Sequence, residues 1–356
     1  MADLALASSP EEVFFDHIAE VVDHGAIAVM LSIGHRSGLF DSLAGQPPAT
    51  SLDVAARAGL VERYVREWLA VMVTARIIDF DPDHRTYQLP EAHAACLTKD
   101  APLGNLAIYS QMVALTGSMQ ERALTAFKTG DGIEYEEFPC FHEIMAEDSE
   151  QSVVAAIDDI LNSLIPDIVT RLEQGIDVLD AGCGAGKAIV RLAQLFPNSR
   201  FSGFDLCTDA IELATNHAIN TGVSNVEFKV RDLSNMGQES AFDLVMSFDA
   251  VHDTKDPAQL IQSLALALRP GGAYLMQDIG GSVNLENNLD FPFAPFLYTI
   301  SCIHCMPVSL AQGGAGLGAM WGWETALEML RSANFQDVSN HVLPHDPMNV
   351  WFVSRK

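Results

Sequence analysis

Along residues 11–45 apolar and polar positions recur at helical spacing, which predicts one or two helices ending before Gly45. The next stretch predicts a short helix capped by Ser51 or Thr50 and broken at Gly59, then a second from Val61 to about Ala75. Two short β-like runs flank Asp81-Pro82-Asp83, as in a hairpin. From Pro102 to about Gly175 the pattern is helical again, interrupted at KTGDGIEYEEFP by residues that mark a loop. Beyond Ile176 the period changes. IDVLDA, RFSGFDL, VEFKVRDL, FDLVMSFDAV and GAYLMQDI are short β-rich runs, and helical segments at 187–195, 209–220 and, more briefly, 234–240 separate the first four. A further helix, 257–268, starts with Asp256 as cap and Pro257 in the first position and ends at RPGG. Strands alternating with helices predict a parallel sheet covered on both faces, and FQDVSNHVLPHDPMNVWFVS predicts two closing strands joined by a turn. Neither an internal repeat nor a low-complexity tract is visible.

At 356 residues and 49% hydrophobic composition the chain can fold as two domains. Its net charge of -27, from 47 acids against 20 Lys and Arg, argues against general affinity for nucleic acid or an anionic membrane surface. No uninterrupted apolar run approaches the roughly 20 residues of a membrane span, and the N-terminus lacks the basic start of a signal peptide. A cytoplasmic protein without a membrane partner is expected. Six cysteines spread thinly through the chain suit reduced thiols, so no structural disulfides are expected.

Candidate chemistry centres on DVLDAGCGAGKAIVRLA, Asp177 to Ala193. A triphosphate loop needs Gly where Ala181 stands and Ser or Thr where Ala188 follows Lys187. The dinucleotide fingerprint begun at Gly182 meets Lys187, and begun at Gly184 meets Ile189, where a small residue is required. What remains is Asp180-x-Gly182-x-Gly184-x-Gly186 at the end of a first strand. Glycines there let backbone approach a ligand that carries no phosphate.

This turn resembles the S-adenosylmethionine (SAM) site of class I methyltransferases. The resemblance implies that Asp205, ending the second strand, accepts both ribose hydroxyls, although a carboxylate there suits NAD equally well. It also implies that Asp232 accepts from the adenine amino group, with Leu233 against the ring, and that Leu206 and Phe248 complete the cofactor site. Such ligands lie outside the carboxyl ends of the strands.

With the helix-turn-helix-hairpin segment in front, the whole chain resembles the winged-helix small-molecule methyltransferases of a mycobacterial-type family, relatives of the plant phenolic O-methyltransferases. The implied fold class is α/β: a Rossmann-like, seven-stranded SAM domain with an N-terminal, all-helical winged-helix domain. Expected boundaries are a winged-helix and dimerisation domain over 1–100, a helical linker contributing to the pocket over 101–170, and the SAM domain over 171–356. Within the last, 280–323 forms a lid-like insertion, rich in aromatics and methionines, whose GGAGLG supplies hinge or turn residues. In that family the winged helix mainly builds a dimer interface and closes the substrate pocket. A homodimer through the N-terminal helices is therefore expected, with Tyr135 and Phe138 packed near the methionine end of SAM.

Methyl transfer requires alignment of the nucleophile and, for a hydroxyl, removal of its proton. His252, just past the fourth strand, is the candidate base, since an ordinary imidazole pKa of about 6.5 suits proton abstraction near neutrality. The pair His252-Asp253 matches the plant enzymes, although Thr254 stands where they usually carry Trp. Asp253, Asp278 and Glu286 are the carboxylates that could orient the ring. Cys302, His304 and Cys305, with His341 or His345, could in principle ligate zinc. Their spacing is not a finger pattern and the surroundings are apolar, so no metal is predicted. The resulting expectation is an enzyme that methylates a small, partly apolar acceptor, on oxygen first, with nitrogen, sulfur or carbon left open. The alternative is a SAM-binding winged-helix regulator. Against DNA binding, residues 1–100 hold 15 acids and 7 Lys or Arg.

Overall fold

The computed structural model describes residues 9–101 and 104–356. The expected helical start at Pro102 and the N-terminal octapeptide read for a signal lie outside them. The chain divides into two compact units, up to Gly117 and from Ser118.

In the first unit α1 (Pro10–Arg36) opens with a capping box, Glu12 N donating to Ser9 Oγ at 3.2 Å and Ser9 N to Glu12 Oε2 at 2.8 Å. After α2 (Leu39–Leu43), α3 (Ser51–Ala58) is capped by Thr50 paired with Asp53 and stopped by left-handed Gly59, as the sequence predicts. Helix α4 (Glu62–Thr74) and the hairpin β1 (Asp79–Asp81) and β2 (Thr86–Gln88) complete the winged helix. Helices α5 (Glu91–Ala94) and α6 (Ala107–Ser118) follow. Trp68 of α4 donates its indole N–H to the Met30 carbonyl at 2.9 Å, and Gly34 lies so close that a Cβ would sit 2.6 Å from that indole. The small core is filled by Phe40, Val54, Val65, Trp68, Leu69 and Met72. In contrast, Phe14, Ile18, Val21, Val22, Val29 and Ile33 of α1 are exposed. They recur at three, four and seven residues and so share one side of the helix. By length and composition α1 and the run Ala294–Ala311 are long and apolar enough to cross a membrane, which the reading of uninterrupted apolar runs did not pick out. Glu11, Glu12, Asp16, Glu20 and Asp23 are spaced along α1, and charges in lipid are costly.

The second unit starts with α7 (Gln120–Thr129), α8 (Phe141–Ser152), α9 (Ile157–Leu164) and α10 (Pro166–Gln174). Then come β3 (Asp177–Ala181), α11 (Lys187–Leu195), β4 (Arg200–Asp205), α12 (Thr208–Thr221), β5 (Val226–Val230), β6 (Phe242–Phe248), α13 (Pro257–Ala267) and β7 (Leu268–Ile279). Helices α14 (Ala294–Ile300), α15 (Met306–Ala311) and α16 (Trp323–Ser332) precede β8 (Asp337–Leu343) and β9 (Asp346–Arg355). The seven strands are ordered β5-β4-β3-β6-β7-β9-β8, and all are parallel except β9, which runs antiparallel to both its neighbours. Successive residues face opposite sides. Val178, Leu244, Leu275 and Trp351 fill one core, and Leu179, Val245, Tyr274 and Phe352 fill the other. Both faces are dry, which is why these strands read as near-continuous apolar runs. At the amino ends of β3 and β6 the carboxylates of Asp177 and Asp243 are knotted to Arg171, Arg200 and Arg269.

One expectation needs correction. The segment 234–240 forms only a 3-10 turn, Leu233–Asn235, because Gly237 and Ser240 take positive φ and stop propagation. The insertion 280–323 is largely helical, and α14 and α15 are joined by a π-helical turn, Ser301–Cys305. Within GGAGLG, Gly313, Gly316 and Gly318 have positive φ, in keeping with turn residues.

Candidate functional site

The chain order reverses between β3 and β6, the place where open α/β sheets open a crevice at their carboxyl ends. Asp180, near the end of β3, is 2% exposed and its Oδ1 has no partner. Burial, reinforced by the charge of Asp205, pushes its carboxyl up to about 7. In the turn that follows, a Cβ on Gly182 would lie 2.6 Å from the Ala250 Cβ, and one on Gly186 2.9 Å from Ala214 and Phe228. These two glycines are required by packing. Gly184 instead faces open space, and its N–H donates to Asp205 Oδ2 at 2.9 Å. Cys207 N donates to Asp205 Oδ1 at 2.9 Å, so the carboxylate is fixed between two loops. Lys187 pairs with Glu150 at 3.3 Å. Asp232 is exposed and accepts from Ser234 N, while Leu233 is buried in the core beneath it. Leu206 is exposed, and half-buried Phe248 lies 5.9 Å from the Trp351 ring.

The structure gives His252 a definite partner. The imidazole is 3% exposed, and its Nδ1 lies 2.8 Å from Asp278 Oδ1. The same oxygen accepts from Trp321 Nε1 at 3.0 Å and Ile279 N at 2.8 Å. Neither Asp253 nor exposed Glu286 makes this contact. Asp249 Oδ1 stands 3.8 Å from His252 Nδ1 on a backbone with φ +50, and the buried Cys305 thiol lies close enough to the ring to interact with it. Burial opposes a charged imidazole, but Asp278 and Cys305 outweigh it and hold the pKa well above 6.5. Burial raises Asp249 to about 6 and Asp253 to about 7. Sequence reasoning gave Asp249 and Trp321 no role and weighed Cys305 only as a zinc ligand.

Tyr135 and Phe138 meet the insertion. A Cβ on Gly132 would lie 2.0 Å from Ala311 N, and Ile133 N donates to the Pro307 carbonyl at 3.1 Å. This close approach lays the Tyr135–Glu137 turn beside the π-helical turn. Arg122 holds the segment through Glu137 at 2.8 Å and the Gly132 carbonyl at 2.7 Å. Pro307 explains the π turn. A proline ring clashes with the carbonyl four residues back, and an extra residue per turn relieves that clash. The turn buries His304 at 1% exposure, stacked on Phe141 at 3.8 Å and edge-on to Phe138 at 4.5 Å and Tyr135 at 5.4 Å. Burial of the Tyr135 phenol, followed by the charges of Asp253 and Asp205, pushes its pKa well above 10. His142, stacked on Tyr135, reaches Cys207 Sγ at 3.1 Å.

Donor atoms of Asp249, His252 and Asp278 lie within 4.8 Å of one another, the spacing of a metal set. Asp278 Oδ1 already accepts three N–H groups, so His252 and Asp278 form a hydrogen-bonded pair, with Asp249 Oδ1 beside it and without a hydrogen-bond partner.

Comparison with known proteins fits this architecture. Residues 25–99 match the Rv2258c-like winged HTH domain, and residues 172–305 match a methyltransferase domain. A ubiquinone biosynthesis O-methyltransferase of Paracidovorax citrulli is 32% identical over 101 residues, 28% of this chain and 42% of its own. A 2-heptyl-1-hydroxyquinolin-4(1H)-one methyltransferase of Mycobacteroides abscessus is 34% identical over 119 residues, 31% of this chain and 51% of its own. The chain thus spans about half the length of these relatives. The structure of human N-acetylserotonin methyltransferase in complex with SAM superposes with TM-score 0.64 over 99% of both chains at 16% identity, a likeness of fold. The chain therefore joins an Rv2258c-like winged HTH domain to a methyltransferase domain with the fold of SAM-dependent enzymes.

Proposed function

We propose that the protein transfers a methyl group from SAM to a small, partly apolar acceptor, on a hydroxyl oxygen first, with nitrogen or sulfur as lesser choices. His252 is the general base and Asp278 positions it. The carrying observation is the buried His252–Asp278 pair, 2.8 Å apart, at the carboxyl ends of β6 and β7, in the same sheet whose strand β3 presents the Asp180–Gly186 turn.

The cofactor fits the residues present. Asp180 offers an unpartnered oxygen, the Gly184 backbone is open to close approach, and the Asp205 carboxylate is held in place by two N–H groups. Asp232, Leu206, Leu233 and Phe248 would complete the adenosine side, with Tyr135 and Phe138 at the methionine end. When bound, SAM supplies a sulfonium methyl group open to nucleophilic attack. Asp278 fixes Nδ1, so Nε2 exchanges a proton with the acceptor. Asp278 and Cys305 favour the protonated ring against burial, and a cationic cofactor held beside it would oppose them and favour the neutral ring that can take the hydroxyl proton at Nε2. The Mycobacteroides relative, named for a hydroxyquinolinone, supports a flat, partly apolar acceptor.

The assembly we propose is a cytoplasmic homodimer built through the N-terminal helices. The exposed apolar stripe of α1 supports it. A DNA-reading role is disfavoured because Arg63 and Arg66 of α4 are paired with Glu67 and Glu62 in the same helix. The test is incubation of labelled SAM with a metabolite extract and mass analysis for added methyl groups, alongside calorimetry with S-adenosylhomocysteine. Absence of both methyl transfer and cofactor binding ends this reading.

A further inference from the structure

We propose that His304 anchors a second oxygen of the acceptor, so that the site selects aromatic hydroxyl compounds bearing a neighbouring hydroxyl or carbonyl group. This rests on the methyltransferase reading above. His304 is 1% exposed, and both of its ring nitrogens lack a hydrogen-bond partner. Buried polar groups are nearly always paired, so an orphaned imidazole in a packed aromatic setting calls for a partner from outside the chain. Burial, with the nearby charges of His252 and His142, holds its pKa down to about 3. The ring is neutral at working pH, with one donor and one acceptor nitrogen, which suits a hydroxyl or carbonyl.

Position supplies the rest of the argument. The next residue, Cys305, is buried beside His252, so the orphaned ring and the candidate base are brought together by one π-helical turn. Single-turn π insertions within α-helices are frequent at functional sites. The walls about His304 are Tyr135, Phe138 and Phe141, surfaces that favour a flat aromatic body. The carboxylates of Asp249, Asp253 and Asp278 nearby disfavour an anionic second group. An oxygen methylated at His252 and a second one at His304 therefore belong to one compact, neutral ring system.

The test uses the full chain saturated with S-adenosylhomocysteine and titrated calorimetrically with catechol and with phenol. Wild type should bind catechol at least about ten-fold tighter, the worth of one buried hydrogen bond. His304→Phe should bring the two within about two-fold and leave S-adenosylhomocysteine affinity unchanged, while His304→Gln should keep part of the preference. In wild type the ring nitrogen resonances of His304 should move with catechol and stay put with phenol, a readout independent of how the variants fold. Normal cofactor binding with no catechol preference, with a preference that survives in His304→Phe, or with unmoved His304 resonances overturns this inference alone. Failure to bind S-adenosylhomocysteine overturns the methyltransferase reading and this inference with it.

Discussion

Replacing Asp278 with Asn removes the charge and sets an amide NH2 group where the unpartnered Oδ2 stands. The amide oxygen can still accept from Ile279 N and Trp321 Nε1, which now meet Asp278 Oδ1 at 2.8 and 3.0 Å, so the local frame should hold. What is lost is the anion 2.8 Å from His252 Nδ1. A hydrogen bond to a charged group is worth about 1–1.5 kcal/mol more than one between neutral groups, or roughly ten-fold in rate. Unit charges 4 Å apart at an effective dielectric of about 20 interact by about 4 kcal/mol, which sets an upper figure near a thousand-fold. Turnover should therefore fall by between ten- and a thousand-fold, with S-adenosylhomocysteine affinity nearly unchanged. The pH dependence carries a definite sign. Asp278 and Cys305 raise the folded-state pKa of His252 against burial. Without the carboxylate, burial dominates and the value drops, so the rising limb of turnover moves to lower pH. Stability follows the same linkage. A raised histidine pKa contributes stability that is fully present below about pH 6.5 and is lost as pH rises through the folded value. The melting-temperature gap between wild type and Asp278→Asn should therefore narrow as pH is raised. Turnover against pH and thermal melts at several pH values check both parts. A variant within about three-fold of wild type, with an unshifted profile, refutes the role given to the pair.

Asp205→Ala should weaken S-adenosylhomocysteine binding at least ten-fold by calorimetry, because it removes a carboxylate and also the partner of Gly184 N and Cys207 N. Gly186→Ala should lower stability by about 1–3 kcal/mol in chemical denaturation, since φ is +70 and the new Cβ meets Ala214 and Phe228 at 2.9 Å. If α1 forms the dimer contact, Phe14→Asp with Ile18→Asp should halve the mass seen by light scattering while the melting of the methyltransferase unit stays put. A wild-type monomer at micromolar concentration would sink the dimer proposal.

The strands and most helices were legible because both sheet faces are buried and helices in both units carry their own punctuation, such as Thr50, Gly59 and Asp256-Pro257. The helical run through α14 and α15 was hidden by Pro292, Pro295 and Pro307, which read as breakers. Two of them are tolerated near helix starts, and the π turn absorbs Pro307. At the site, Asp180, Asp205 and His252 stand at strand ends and were visible as local patterns. The choice among Asp253, Asp278 and Glu286 was not visible. It depends on β6 pairing with β7, which brings residues 26 apart in sequence to hydrogen-bond distance. His304 was noticed for its chemistry, but its orphaned nitrogens are a property of packing, which no spacing rule reports.

The antiparallel strand β9 lies inside the sheet, between β7 and β8. In the order of synthesis it comes last of the three. Until Asp346–Arg355 has emerged, β7 has one side without a neighbour and β8 has no partner at all. The side chains of Trp351 and Phe352 are also missing from the two cores. The nascent domain must therefore carry an open, apolar sheet edge, the kind of surface that recruits other chains. Final closure of the sheet is a late, long-range event, and conditions that slow it should favour aggregation over any partly active intermediate.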